Sequence, residues 1–115
     1  MQPMKLNLET EILSGDATVI TKLNGNLALE TVHDFIGALR PEPAAHLILD
    51  MSGVAFLDSA GVGALVSLFV SRKHQGKTFA LAALNQQGTA VLQVSGLLNF
   101  LPVFPTVEEA AAKSA

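Results

Sequence analysis

The chain contains no cysteine, no tryptophan and no tyrosine, and only 15% of its 115 residues are charged. Without cysteine the fold has to rest on a hydrophobic core, and this length supports one such core in a single domain spanning residues 1–115. All six aromatic residues are phenylalanine, so the half-polar rings that stack on sugars or single-stranded bases are missing. Basic residues are also few. Seven Lys and Arg against ten Asp and Glu give a net charge of -3, which argues against nucleic acid as a partner, because phosphate binding needs a basic surface. The longest nearly apolar run, residues 60–70, is interrupted by Ser67 and falls short of the roughly 20 residues of a membrane span. It reads as a buried helix, and no direct membrane insertion is expected. Met1-Gln2-Pro3-Met4-Lys5 shows neither a basic cluster nor an apolar run behind it, so no secretory signal is predicted and the expected location is cytoplasmic.

What is present is apolar: half of the residues are hydrophobic, and their spacing changes along the chain. Leu6, Leu8 and Ile12 alternate as in a half-buried strand. Gly15-Asp16 reads as a turn, and residues 17–23, β-branched from Thr18 to Thr21, as the hairpin partner ended by Asn24-Gly25-Asn26. From Leu27 the period becomes helical, with Leu29, Val32, Ile36 and Leu39 on one face beside Phe35, until Pro41 and Pro43. Leu47-Ile48-Leu49 reads as a central strand covered on both faces. A loop around Ser52-Gly53 and the hydrophobic residues 54–57 then lead to a helix over 59–75, with Gly76 as its C-terminal cap. A strand over 78–84, a helix over 86–95 closed by Gly96 and a short strand over 101–104 follow. Thr106 and Glu109 stand in capping-box spacing at the start of a last helix, which is expected to fray over 110–115. The order β-β-α-β-α-β-α-β-α predicts an α/β sandwich with a mixed sheet of four to five strands and about four helices.

One stretch is unusual: Phe56-Leu57-Asp58-Ser59-Ala60-Gly61-Val62-Gly63, where a strand-end loop meets a helix. Asp58 or Ser59 can cap the free N–H groups of the first turn. On the helix that follows, Val62, Leu65, Val66, Phe69 and Val70 form the expected core face, and Ala60, Gly63, Ala64, Ser67 and Ser71 lie opposite. A solvated face ordinarily carries Lys, Glu and Gln. This one has only small side chains, although each glycine costs about 1 kcal/mol of helix stability against alanine. Small residues let another backbone approach closely, so the face is read as a protein-docking surface of Asp58, Ala60, Gly61, Gly63, Ala64 and Ser67. A phosphoryl group on Ser59 would add about -1.5 to -2 charges at its edge.

At these residues the sequence resembles the STAS domain family, shared by sulfate transporter tails and anti-sigma factor antagonists. The resemblance covers most of the chain, and its specific part runs from Leu47-Ile48-Leu49-Asp50-Met51-Ser52-Gly53-Val54-Ala55 through Phe56 to Gly63; Gly96-Leu97 matches a further family pair. It implies that Ser59 is the phosphate acceptor. It also implies a partner-switching role, in which the unmodified protein binds an anti-sigma factor that is also a serine kinase, phosphorylation with ATP ends the association, and a serine phosphatase restores it. The protein would then be a substrate and binding module, with no catalytic residue, cofactor or metal of its own. Two positions depart from the antagonists: Ala60 replaces a second hydroxyl residue, and Gly25-Asn26-Leu27-Ala28 lacks the acid that often contributes to the partner surface.

Other chemistries fit less well. Asp50 sits where a response regulator holds its acceptor, but the acidic pair and the lysine of a receiver domain are missing. Leu57-Asp58-Ser59-Ala60-Gly61 lacks the leading glycine of a nucleophile elbow, and no histidine follows the acids Glu108 and Glu109. His33, His46 and His74 have no ligand-like spacing. Gly61-x-Gly63 has neither a third glycine nor a Walker lysine. The remaining rival is a STAS-like scaffold or sensor subunit of a membrane transport or signalling complex, in which Ser59 is only a cap.

Overall fold

Two strands running the same way must be joined by a crossover, and helices supply those crossovers here. The computed structural model describes residues 6–12 and 17–114. The hairpin β1 (Leu6–Ile12) and β2 (Thr18–Leu27) leads through α1 (Val32–Leu39) to β3 (His46–Leu57), through α2 (Ser59–His74) to β4 (Thr78–Ala82), through α3 (Gln86–Val94) to β5 (Val103–Phe104), and ends in α4 (Val107–Ser114). The sheet order is β1-β2-β3-β4-β5. β1 is antiparallel to β2, and the other pairs are parallel. This is the mixed α/β sandwich that the sequence predicts.

Because side chains alternate along a strand, β3 feeds two cores. Leu47 and Leu49 join Phe35 and Leu39 of α1, Leu65 and Leu68 of α2 and Leu92 of α3. Ile48 points the other way, into a smaller cluster with Ala80, Ala82 and Ala110 of α4. The parallel strands end where α1, α2 and α3 begin, so one end of the domain gathers the loops that open these helices.

Several boundaries differ from expectation. The Gly15-Asp16 turn lies outside the described residues. Asn24-Gly25-Asn26 does not end β2: the strand runs on to Leu27, paired with Leu57, and two register shifts absorb the irregularity, with Gly25 at φ 125. Nor does Ser52-Gly53 interrupt β3. A Cβ at Gly53 would collide with the Leu23 carbonyl oxygen and the Asn24 side chain, so the glycine keeps the irregular strands in contact. α1 starts only at Val32, which leaves Leu29 outside it and 69% exposed. β4 stops at Ala82, just before Ala83 at φ 61, and β5 is shorter than expected. The last helix does not fray at 110: Ala110 is fully buried, and the helix continues to Ser114. The Glu109 N–H donates to Thr106 Oγ1 (3.1 Å) at its start.

The inward face of α2 is also turned from the expected one. It consists of Gly61, Val62, Ala64, Leu65, Leu68 and Arg72, while Val70 is 40% exposed. Arg72 is the unforeseen member. Its guanidinium, 1% exposed, donates from Nε to the Thr78 carbonyl (2.9 Å), from Nη1 to that of Glu42 (3.2 Å) and from Nη2 to that of Ala44 (2.6 Å). Burial lowers its pKa from the ordinary arginine value, and the negative charge of Glu42 offsets part of that shift.

Candidate functional site: the turn before the second helix

β3 delivers the chain to α2 through Leu57 and Asp58, and both are held from several sides. Past Asp50, β3 no longer pairs with β4, so its backbone groups on that edge need other partners. Side chains at the start of α3 supply them. Gln87 accepts from the Leu57 N–H (3.0 Å) and donates Nε2 to the Leu57 carbonyl (2.7 Å), as a neighbouring strand would. Asn85 donates Nδ2 to the Val54 carbonyl (3.0 Å) and caps α3 by accepting from the Gly88 N–H (2.8 Å).

Asp58, in extended conformation, is the N-cap of α2. Its Oδ1 accepts from the Gly61 N–H (2.9 Å), and its Oδ2 accepts from the Leu29 N–H in the β2–α1 loop (3.1 Å). The carboxylate thus serves two backbone donors and carries a negative charge at the positive end of the helix dipole. Gly61 is required by packing: a Cβ there would lie against the Leu27 carbonyl oxygen, closer than van der Waals contact permits. That close approach lets the first turn of α2 sit on the end of β2.

Ser59 follows as the first residue of α2 and is exposed. Because Asp58 does the capping, the Ser59 hydroxyl is not needed for it. Of the other residues assigned to the docking face, Asp58 and Ala60 are half-buried, whereas Gly63 and Ser67 are exposed. Gly61 and Ala64, 8% exposed in the latter case, turn inward. The outward line is therefore Ser59, Gly63 and Ser67, one turn apart, continued by exposed Val70. A Cβ at Gly63 would meet nothing within 4 Å, so no contact among the described residues explains that glycine. Arg40 Nη2 lies 3.5 Å from Ser67 Oγ at the side of this line.

Sequence reasoning missed Leu29, Asn85 and Gln87, and the exposure of Phe56. Leu29 was placed on a helix core face and is exposed; Phe56 is 45% exposed two residues before Asp58. Asn85 and Gln87 had only a helix start to recommend them. Asp50 uses Oδ1 to accept from the Ser52 N–H (3.0 Å), two residues further along β3. The histidines stand apart, on α1, at the start of β3 and at the end of α2. Among the described residues no group of three His, Cys, Asp or Glu is placed to hold a metal ion, and no helix is long and apolar enough to cross a membrane.

A mixed sheet with helix crossovers thus carries, at the start of α2, a capped first turn that leaves a serine exposed. The STAS domain model matches residues 7–110, and the chain belongs to the STAS domain family. An anti-sigma F factor antagonist from Paenibacillus polymyxa is 24% identical over 104 residues, covering 86% of this chain and 88% of that one. The crystal structure of a putative anti-sigma factor antagonist from Thermotoga maritima superposes with a TM-score of 0.80 at 24% identity, over 93% of each chain. The anti-sigma factor antagonist SpoIIAA in its unphosphorylated form gives 0.75 at 22% identity, over 93% of this chain and 95% of that one. The fold is thus shared with anti-sigma factor antagonists.

Proposed function

We propose that the protein is a cytoplasmic anti-sigma factor antagonist controlled at Ser59. Unmodified, it binds an anti-sigma factor that is also a serine kinase. The kinase passes the γ-phosphoryl group of ATP to Ser59 Oγ, the hydroxyl proton goes to the kinase's base, ADP leaves, and the complex separates. A serine phosphatase hydrolyses the phosphoester and returns the protein to its binding form. The protein catalyses none of these steps and holds no cofactor.

The observation that carries this reading is the division of labour at the turn: Asp58 caps α2, and Ser59 beside it is exposed. The scaffold reading leaves Ser59 only the role of a cap, a role that Asp58 fills in this structure. Relatedness to an anti-sigma F factor antagonist and a fold shared with the antagonist SpoIIAA in its unphosphorylated form support the same assignment. The outward line of Ser59, Gly63 and Ser67 is the proposed contact, with Asp58, Ala60 and Gly61 shaping its start; Ala64 contributes from beneath by letting α2 sit close to the core. A partner seated over Ser59 would have to bury a dianion next to the Asp58 carboxylate. A penalty of about 3 kcal/mol weakens binding roughly a hundredfold.

The test uses the cognate serine kinase/anti-sigma factor. With ATP it should add one phosphate to the wild-type chain, seen by intact mass, and none to Ser59→Ala. The unmodified chain should bind it in pull-down, and Ser59→Asp should bind poorly. Stoichiometric labelling of Ser59→Ala, or equal binding by phosphorylated and unmodified chains, would overturn the proposal.

A further inference from the structure

The β2–α1 loop is held more tightly than a simple connection requires. Thr31, 2% exposed, accepts through Oγ1 from the Ala28 N–H (3.0 Å). That hydroxyl lies 2.8 Å from the Asn26 carbonyl and 3.1 Å from that of Ala28, and the N–H groups of Thr31 and Val32 both donate to the Ala28 carbonyl (2.9 and 3.0 Å). The Leu29 N–H is fixed by Asp58 Oδ2. A loop so constrained nevertheless leaves Leu29 69% exposed while Ala28, its neighbour, is buried. An apolar side chain held out into water by an ordered backbone is unfavourable alone, but it suits an interface anchor, because the ordering cost of the loop is met before binding.

The charge beside it is of one sign. Glu30, its neighbour in sequence, and Asp34, in the first turn of α1, are exposed, and the half-buried Asp58 accepts from the Leu29 N–H. The described cations lie elsewhere. Lys22 is in β2, opposite Glu9 and Asp50. Arg40 follows α1, Arg72 and Lys73 are in the last turn of α2 with Lys77 just beyond, and Lys113 is in the last turn of α4. Helices alternating with parallel strands therefore place acids where α1 and α2 begin and bases where they end.

We infer that Leu29 is a specificity-determining anchor for the anti-sigma factor, which receives it in an apolar pocket rimmed by Lys or Arg. This rests on the function proposed above and names the chemistry of the partner's side of that contact. Complementary charge steers the encounter, Leu29 supplies the apolar contact, and Ser59, one residue from Asp58, decides whether the surfaces can close. The site uses an apolar knob where Asn26 offers no acid.

The experiment measures the affinity and association rate of the same purified anti-sigma factor for the wild-type chain, Leu29→Ala, Glu30→Lys and, as a matched control, Val94→Ala, which alters an aliphatic residue 89% exposed on α3. Circular dichroism and the urea midpoint establish that each variant is folded. Leu29→Ala should raise Kd by about tenfold or more, Val94→Ala should leave it within about twofold, and Glu30→Lys should slow association and flatten its salt dependence. If wild-type binding is strong and phosphorylation-sensitive but Leu29→Ala behaves like Val94→Ala, the anchor assignment falls alone. If the wild-type chain fails to bind, or binds equally when phosphorylated, the proposed function falls and the anchor with it.

Discussion

The Leu29 N–H donates to Asp58 Oδ2 across 3.1 Å, joining residues 29 positions apart in sequence, while the other oxygen of the same carboxylate caps Gly61. One side chain therefore fixes both the start of α2 and the loop before α1. Asp58→Ala should lose about 1–2 kcal/mol in urea unfolding, as for the loss of an N-cap. Asp58→Asn retains an acceptor for Gly61 but turns a donor toward Leu29. Its stability should fall less, while hydrogen exchange at the Leu29 amide should speed up as in the alanine variant.

Gly61 and Gly63 look alike in sequence but stand on opposite sides of α2. A methyl at Gly61 collides with the Leu27 carbonyl, and a methyl at Gly63 meets nothing. Gly61→Ala should cost about 1–3 kcal/mol by overpacking. Gly63→Ala should raise stability by about 0.5–1 kcal/mol, since alanine is the better helix former. If the outward line is the partner contact, the stabilised variant should bind the anti-sigma factor more weakly, read by calorimetry beside the unfolding curves.

The alternation of periods made the element order legible, because an apolar pattern that switches between two and 3.6 residues reports which face each segment buries. Turn residues misled where a neighbouring strand overrode them: Asn24-Gly25-Asn26 and Ser52-Gly53 bulge against each other without breaking β2 or β3. Leu29 falls on the α1 spacing, but the Asp58 carboxylate holds its N–H in the loop before that helix. Arg72 was hidden for the opposite reason. A cation near a helix end reads as solvated, and the three carbonyls that bury it come from Glu42, Ala44 and Thr78, in other segments. At the site, Asp58 and Ser59 were visible as a pair, but which of them caps α2 depends on backbone geometry.

Release of a partner can come from unfolding the surface or from blocking it, and Ser59→Asp separates the two. Ser59 is exposed, and a negative charge there gains from the α2 dipole while being repelled by Asp58. The two effects oppose one another, so the unfolding free energy should change by less than about 0.5 kcal/mol even though partner binding is lost. A loss above about 2 kcal/mol would instead mean that the charge disrupts the turn.

Gln87 stands in for a missing strand by pairing both backbone groups of Leu57. Gln87→Ala leaves that N–H and carbonyl without their partner one residue before the Asp58 cap, and should cost about 1–3 kcal/mol. Gln87→Glu keeps an acceptor for the N–H but sets a carboxylate against the Leu57 carbonyl, so its stability should fall between the two. Chemical shifts of Leu57 and Ser59 should move in both variants, because the turn is supported from α3.

Arg72 joins α2 to the loop before β3 and to the first residue of β4 through three carbonyls, with almost no exposure to water. The planar guanidinium matches that spread of acceptors, whereas a lysine ammonium is a point charge on a flexible stem. Arg72→Lys should therefore lose about 2 kcal/mol although the charge is kept. Arg72→Met removes the desolvation cost of a buried cation but takes a donor from all three carbonyls; the Ala44 bond is buried, while the Glu42 carbonyl keeps Lys77 Nζ at 3.5 Å, and the lost donors outweigh the desolvation gain. It should lose about 3–5 kcal/mol. Equilibrium unfolding in urea that ranked methionine above lysine would show that the cation's burial, not the service of those carbonyls, dominates the far end of α2.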